Sequence, residues 1–312
     1  MTMQISRPDL VLLDVFPKNG EVTHGAMVNG VLQHKVGDGV AIQHREVDLA
    51  DSMDGLQHNA PGALDHYIED RFVVPTEGTA KQLQQIDASG RRSVIGQSQG
   101  ASDSRMVDSL WGAAQDPKMA ANLDSQLGLP TNASRHDLLQ ALVNRVETVH
   151  EGSSAIKNAH QDMLKAASAL PDGSVRVISA GNQGELSRLL TSEHIPVSSS
   201  FYESEMVDPK AIIVGAADTN GAAPRAADLA SPDADAMVAA NGVDVPTYLA
   251  GAPSGTGSSF AQPQVTGAVF QMLNNHPELH RDEVLQKLQG AALPLDSVRQ
   301  VGSGLLQFDK LN

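Results

Sequence analysis

The chain has 312 residues and a formal net charge of −15, from 22 basic and 37 acidic side chains; 41% of residues are hydrophobic, 19% charged and 3% aromatic. That length buries a large core, and the composition is that of a folded chain rather than a disordered one. The charge argues against a nucleic-acid partner, which needs a basic surface. The absence of cysteine excludes disulfides, zinc–thiolate sites and a thiol nucleophile. Residues 1–8 lack a basic stretch followed by an apolar one, and no apolar run reaches membrane-spanning length. The expectation is a soluble protein with no membrane partner, cytoplasmic or exported without a signal peptide.

Residues 10–15 (LVLLDV) are an apolar run broken by one acid, the pattern of a buried parallel strand with Asp14 at its C-terminal end. Thr23 or His24 starts a helix through Ala26, Val28, Val31 and Leu32. A second strand is predicted over 40–47, helices over 61–72 and 76–86 (the latter capped by Thr76), and a third strand over 93–98. From 101 to 170 the pattern is helical, with Leu138, Leu139, Leu142, Val143, Val146 and Val149 at helical spacing. Gly128, Pro130 and Asn132 divide it into at least two helices. Strands follow at 175–180 and 211–216, a loop at 222–235 and a short strand within 238–245. Helices at 259–274 and 281–290 and an apolar segment at 305–308 complete the chain. With no repeat, low-complexity tract or linker, one domain spanning 1–312 is expected. Strands alternating with helices predict an α/β fold with a mostly parallel sheet covered on both faces. Chemistry in such folds gathers at the carboxyl ends of the strands.

Four segments can carry chemistry. In Gly257-Ser258-Ser259-Phe260-Ala261-Gln262-Pro263 a hydroxyl sits among small residues at the start of a helix, whose free N–H groups and dipole favour developing negative charge. A serine there is equally a helix cap. His24, in Thr23-His24-Gly25-Ala26, can serve as a general base or be a surface histidine. Asp14 can orient that base or cap a turn. Asn182, in Ala180-Gly181-Asn182-Gln183-Gly184, can donate to an oxyanion without carrying charge or form a Gly-Asn turn.

Type and order together, acid, histidine, asparagine, serine, resemble the subtilisin-like serine proteases. Ser259, Ala261 and Pro263 fall on the family's Gly-Thr-Ser-x-Ala-x-Pro segment. Val94 to Gly100 is similar to its cleft strand ending in Ser-x-Gly, Ala211 to Asp218 to its Val-x-Val-Gly-Ala strand, and Gly302-Ser303-Gly304 to its closing Gly-x-Gly. The resemblance implies a subtilisin-like doubly wound fold and hydrolysis of peptide bonds. It makes Ser259 the nucleophile, His24 the base, Asp14 its partner and Asn182 the oxyanion donor. Ser98, Gln99, Gly100, Ala180 and Gly181 would bind an extended substrate. It implies a protein or peptide substrate, with no cofactor and no metal assigned. With 13 residues preceding Asp14, the inhibitory pro-segment common in secreted relatives is not expected, and restraint is expected instead from a narrow substrate range, a regulatory partner or a closed cleft. The acid segment, Asp14-Val15-Phe16, departs from the usual Asp-Thr-Gly or Asp-Ser-Gly. Ser258 is a weaker candidate nucleophile.

Two other readings compete. Gly96-Gln97-Ser98-Gln99-Gly100 matches the G-x-S-x-G elbow of α/β-hydrolases. An esterase would then use Ser98 with His276 or His280 and Asp218 or Asp244. Alternatively the chain is a binding protein on a disabled protease scaffold. Asp233 and Asp235 have the chemistry of calcium ligands but are assigned no metal, being acids in a loop.

Overall fold

The computed structural model describes residues 7–16, 22–50, 53, 56, 60–130 and 133–311. The predicted first strand is β1 (Asp9–Asp14), with Leu10, Val11, Leu12 and Leu13 all fully buried. It lies parallel between β2 (Ile42–Glu46) and β3 (Ser93–Gln97). Beyond β3 the sheet continues in parallel through β4 (Val175–Ser179) and β5 (Ala211–Asp218). The two-residue β6 (Arg225–Ala226) pairs antiparallel to β5. β7 (Val238–Asn241) lies parallel to β5 on its other side. β8 (Val245–Leu249) and β9 (Ala252–Gly255) form a separate hairpin. The far edge of the sheet is made by β10 (Ala292–Leu293) and β11 (Leu305–Leu306), giving the order β10-β11-β7-β5-β4-β3-β1-β2. The chain places β2 on one side of β1 and β3 on the other. Strand order therefore reverses between β1 and β3, where a crevice opens at the carboxyl ends.

Ten helices and a terminal 3₁₀ turn (Phe308–Leu311) surround the sheet among the described residues. In chain order they are α1 (His24–Val36), α2 (Ala63–Asp87), α3 (Asp103–Ala113), α4 (Pro117–Gln126), α5 (Arg135–Gly152), α6 (Ser154–Ala169), α7 (Gly184–Ser192), α8 (Ser258–Asn275), α9 (Arg281–Gly290) and α10 (Val298–Val301). The alternation along β1 divides them. Leu10 and Leu12 pack with Val28, Val31 and Leu32 of α1 and with Phe260, Val265 and Val269 of α8. Val11 and Leu13 pack on the opposite face with Ala80 and Leu83 of α2 and Met163 and Ala167 of α6. Each such aliphatic side chain contributes about 1.5–3 kcal/mol when fully buried. Both faces of β1 are covered, so its apolar run is continuous. None of the helices, among the described residues, is long and apolar enough to cross a membrane.

Several expectations are corrected. The two helices predicted over 61–72 and 76–86 are one helix, α2, with Pro75 inside it and Thr76 buried rather than capping. Proline removes one donor and favours a break. Here the buried stripe of Leu64, Ile68, Phe72, Ala80 and Leu83, packed on α6 and on the helices beyond, carries the helix across it. The 101–170 stretch, expected to hold at least two helices, forms four, α3 to α6, with Gly128 and Pro130 between α4 and α5; Asn132 lies outside the described residues. The short strand expected within 238–245 is present as β7, ending at Asn241, but the hairpin that follows was not expected. Nor was α7, because Gly181 to Gly184 reads as a turn whereas it leads straight into the helix.

Candidate active site

Asp14 ends β1 with its carboxylate fully buried, a position that needs partners. Thr23 Oγ1 accepts from the Ala26 N–H and caps α1, so His24 becomes the first helical residue. The Gly25 N–H donates to the Val15 carbonyl at 3.1 Å. A Cβ on Gly25 would collide with that carbonyl and meet Asp14 Cβ at 3.0 Å. Gly25 therefore lets the start of α1 press against the end of β1. The result is an acid–base pair, with His24 Nδ1 3.0 Å from both Oδ1 and Oδ2 of Asp14. The Val15 N–H donates to Oδ1 at 2.7 Å. Two further forces hold the arrangement. The positive end of α1 faces the carboxylate, and the Phe260 ring meets the imidazole edge-on, centroids 5.9 Å apart.

The serine segment starts α8. The Ser258 N–H donates to Asn182 Oδ1 at 2.7 Å, and Ser258 Oγ accepts from the Gly181 N–H at 3.1 Å. Ser258 thus ties the loop after β4 to α8. Its bond to Asn182 uses the amide oxygen and leaves Nδ2 free of that bond. A Cβ at Gly257 would lie 3.1 Å from Asn182 Nδ2 and 3.2 Å from Ser259 Oγ. Amide and hydroxyl therefore flank one small space kept open by a glycine. Gly257 has φ +151°, a conformation other residues rarely adopt.

Asp14, His24, Asn182 and Ser259 line one cleft of about 600 Å³, with Ser98, Gln99, Gly100, Ala180 and Gly181 in its walls. Sequence reading thus nominated nine residues that the fold brings together. Among the described residues, the hydrogen bonds of the His24 ring run to Asp14 alone, so the imidazole shares the cleft with Ser259 without bonding to its hydroxyl. Such bonds are often long before substrate binds.

Other residues were not anticipated. Gln262, fully buried, accepts from Ser98 Oγ at 2.7 Å and donates to the Val177 carbonyl at 3.1 Å, clamping α8 to β4 and the end of β3. Its place in the serine segment was visible; its partners were not. Ser98 Oγ also donates to the Ser259 carbonyl at 3.2 Å. That hydroxyl is engaged by Gln262 and Ser259, and among the described residues no hydrogen bond joins it to a histidine. His276 caps the C-terminal end of α8, about 25 Å along the axis from Ser259; neither it nor His280 lines the cleft that holds Ser98, and the esterase arrangement does not assemble. The 101–170 stretch contributes Arg105, Asp108 and Ser109 of α3 to the cleft. Burial pushes the Asp108 carboxyl up; a hydrogen bond from Gln183 and the nearby Arg105 pull it down, while Glu185 adds to the rise. Asp233 pairs with Arg299 outside the cleft.

Behind the cleft wall lies a second charged cluster. His150 Nδ1 is 2.7 Å from Asp103 Oδ1, its Nε2 is 2.9 Å from Glu205 Oε1, and His160 Nδ1 is 2.7 Å from Glu205 Oε2. Phe72 stacks on the His150 ring, centroids 4.6 Å apart. Burial works against a charged His150, yet hydrogen bonds to Asp103 and Glu205 outweigh it and push its titration up to about 10. Burial raises Glu205, but both histidines bring it down to about 2. Burial is the dominant influence on Asp103 and pushes it upward. The Glu205 N–H donates to the Ala101 carbonyl at 2.8 Å, so α5 and α6 are tied to the segment that carries Gly100 and Ser102 into the cleft.

Residues 56–304 match the family model described as the subtilase family, over well more than half of the chain. The chain belongs to the subtilase family. The matched segment contains Ser98, Asn182 and Ser259 and begins after Asp14 and His24. No curated protein sequence matches the chain. Among solved structures, it is similar to an S41 psychrophilic protease, at 15% identity and TM-score 0.52, covering 96% of this chain and 91% of that one. It is also similar to the epidermin leader peptide processing serine protease (EpiP) from Staphylococcus aureus, at 13% identity and TM-score 0.50, covering 97% of this chain and 74% of that one. At these identities the two structures show the subtilisin-like fold: a mostly parallel sheet with helices on both faces.

Proposed function

We propose that this subtilase is an active serine endopeptidase using Ser259, His24, Asp14 and Asn182. The observation that carries the reading is the convergence in one cleft of the Asp14–His24 pair with a serine and an amide that flank Gly257. Ser259 Oγ attacks the peptide carbonyl while His24 Nε2 takes its proton and later delivers it to the leaving amine. Asp14, held by the Val15 N–H, fixes the ring with Nδ1 toward the protein and Nε2 toward the cleft. Asn182 Nδ2 and the Ser259 N–H at the start of α8 receive the negative charge on the carbonyl oxygen. Ser98 to Gly100 and Ala180–Gly181 offer the cleft walls between which an extended peptide pairs.

The test is Ser259→Ala with peptide hydrolysis and labelling by a serine-directed phosphonate as readouts. Both are lost in the variant. Undiminished hydrolysis in Ser259→Ala overturns the assignment. A native protein that binds peptides and is never labelled is instead a binding protein on this scaffold.

A further inference from the structure

We propose that Gln99 is a positioning residue for the Asp14–His24 pair, an inference that rests on the protease reading. Expected from its sequence position to bind substrate, Gln99 has its side chain buried, with 3% of the residue exposed. Its Nε2 lies 3.4 Å from Asp14 Oδ1. The residue after the acid is Val15, whose side chain donates nothing. Among the described residues, the Gln99 amide is the side-chain donor other than His24 that reaches this carboxylate.

The amide can face only one way. Turned over, it would set Oε1 against the ionised carboxylate, two acceptors with no proton between them. In the orientation observed, Oε1 is enclosed and has no partner, a defect native proteins rarely keep without a reason. The backbone around it is pinned. The Ser98 carbonyl accepts from Ser179 Oγ at 2.9 Å, and Ser98 Oγ is held by Gln262. A donor fixed to Oδ1 stops the carboxylate rotating about its bond, which keeps both oxygens in front of His24 Nδ1 and Nε2 aimed into the cleft. Because Gln99 lies in the cleft wall, a peptide that pairs with this wall also presses the amide toward Asp14.

The test is Gln99→Leu, with kcat and KM measured on a peptide and the low-field proton signal of the His24–Asp14 bond followed by NMR. A lost charge-assisted bond of this length lowers kcat about tenfold, leaves KM within about twofold, and shifts or broadens the low-field signal. Adding Val15→Thr, which offers a hydroxyl beside the carboxylate, restores a good part of the lost kcat. Gln99→Met gives the same comparison where the leucine variant does not fold. A folded variant with native kcat and an unchanged low-field signal overturns the proposal, as does a loss confined to KM. Absence of phosphonate labelling in the native protein instead defeats the protease reading, whatever Gln99 does.

Discussion

Replacing His150 with glutamine tests how the cleft wall is supported. In the native protein His150 answers two carboxylates, and one of them, Asp103, has only 5% of its side chain exposed. The interaction raises the imidazole from 6.5 to about 10. At 1.36 kcal/mol per pH unit, a rise of that size corresponds to about 5 kcal/mol. The ring keeps 22% of its side chain exposed, so solvent screening reduces this, and about 2–3 kcal/mol is expected. Glutamine keeps one hydrogen bond but no charge, leaving Asp103 buried without a cation. The sign follows from linkage. A raised histidine stabilises fully below 6.5 and loses its contribution as pH climbs through about 10. A depressed Glu205 stabilises above 4.5 and loses its contribution as pH falls through about 2. The cluster is therefore strongest between 4.5 and 6.5. Urea unfolding of both proteins should show the full gap in that window and a nearly closed gap above pH 10. A gap under about 0.5 kcal/mol in the window, or one of equal size at both pH values, refutes the reasoning.

Asn182→Ala removes the amide donor while leaving Ser259 in place; loss of one such donor from subtilisin lowers turnover about 10²–10³-fold. The same drop in kcat with little change in KM is expected here, and steady-state kinetics on one peptide checks it. Gly257→Ala forces a side chain into a positive-φ position and against both the Asn182 amide and the Ser259 hydroxyl. It should lower thermal stability by about 1–3 kcal/mol and reduce phosphonate labelling at the same time. Native labelling in a folded Gly257→Ala variant would show that the space beside that glycine is not needed.

The parallel sheet was legible because strands such as Leu10–Leu13 and Ala211–Ala216 are buried on both faces and must be apolar throughout. Asp14, His24, Asn182 and Ser259 were legible by residue type and by position at strand and helix ends. What escaped was set by partners distant in sequence. Packing against α6 lets α2 run through Pro75, which local propensity could not show. Gln99 and Gln262 are ordinary polar residues in the chain, and their roles exist only where β1, β3, β4 and α8 meet. His150, Asp103 and Glu205 belong to three separate segments and share no spacing that would connect them.

Asp14, at the end of β1, and His24, at the start of α1, lie ten residues apart in sequence, whereas Ser259 enters on α8, far along the described chain. Closing the first contact costs little chain entropy; closing the second means joining segments separated by most of the sheet. During folding the Asp14–His24 pair can form long before the serine reaches it. On the mechanism proposed above, chemical competence then depends on α8 docking against α1, with Val265 meeting Leu12 and Val28. Labelling at Ser259 would consequently serve as a clock for the last stage of assembly, silent until both ends of the sequence have met.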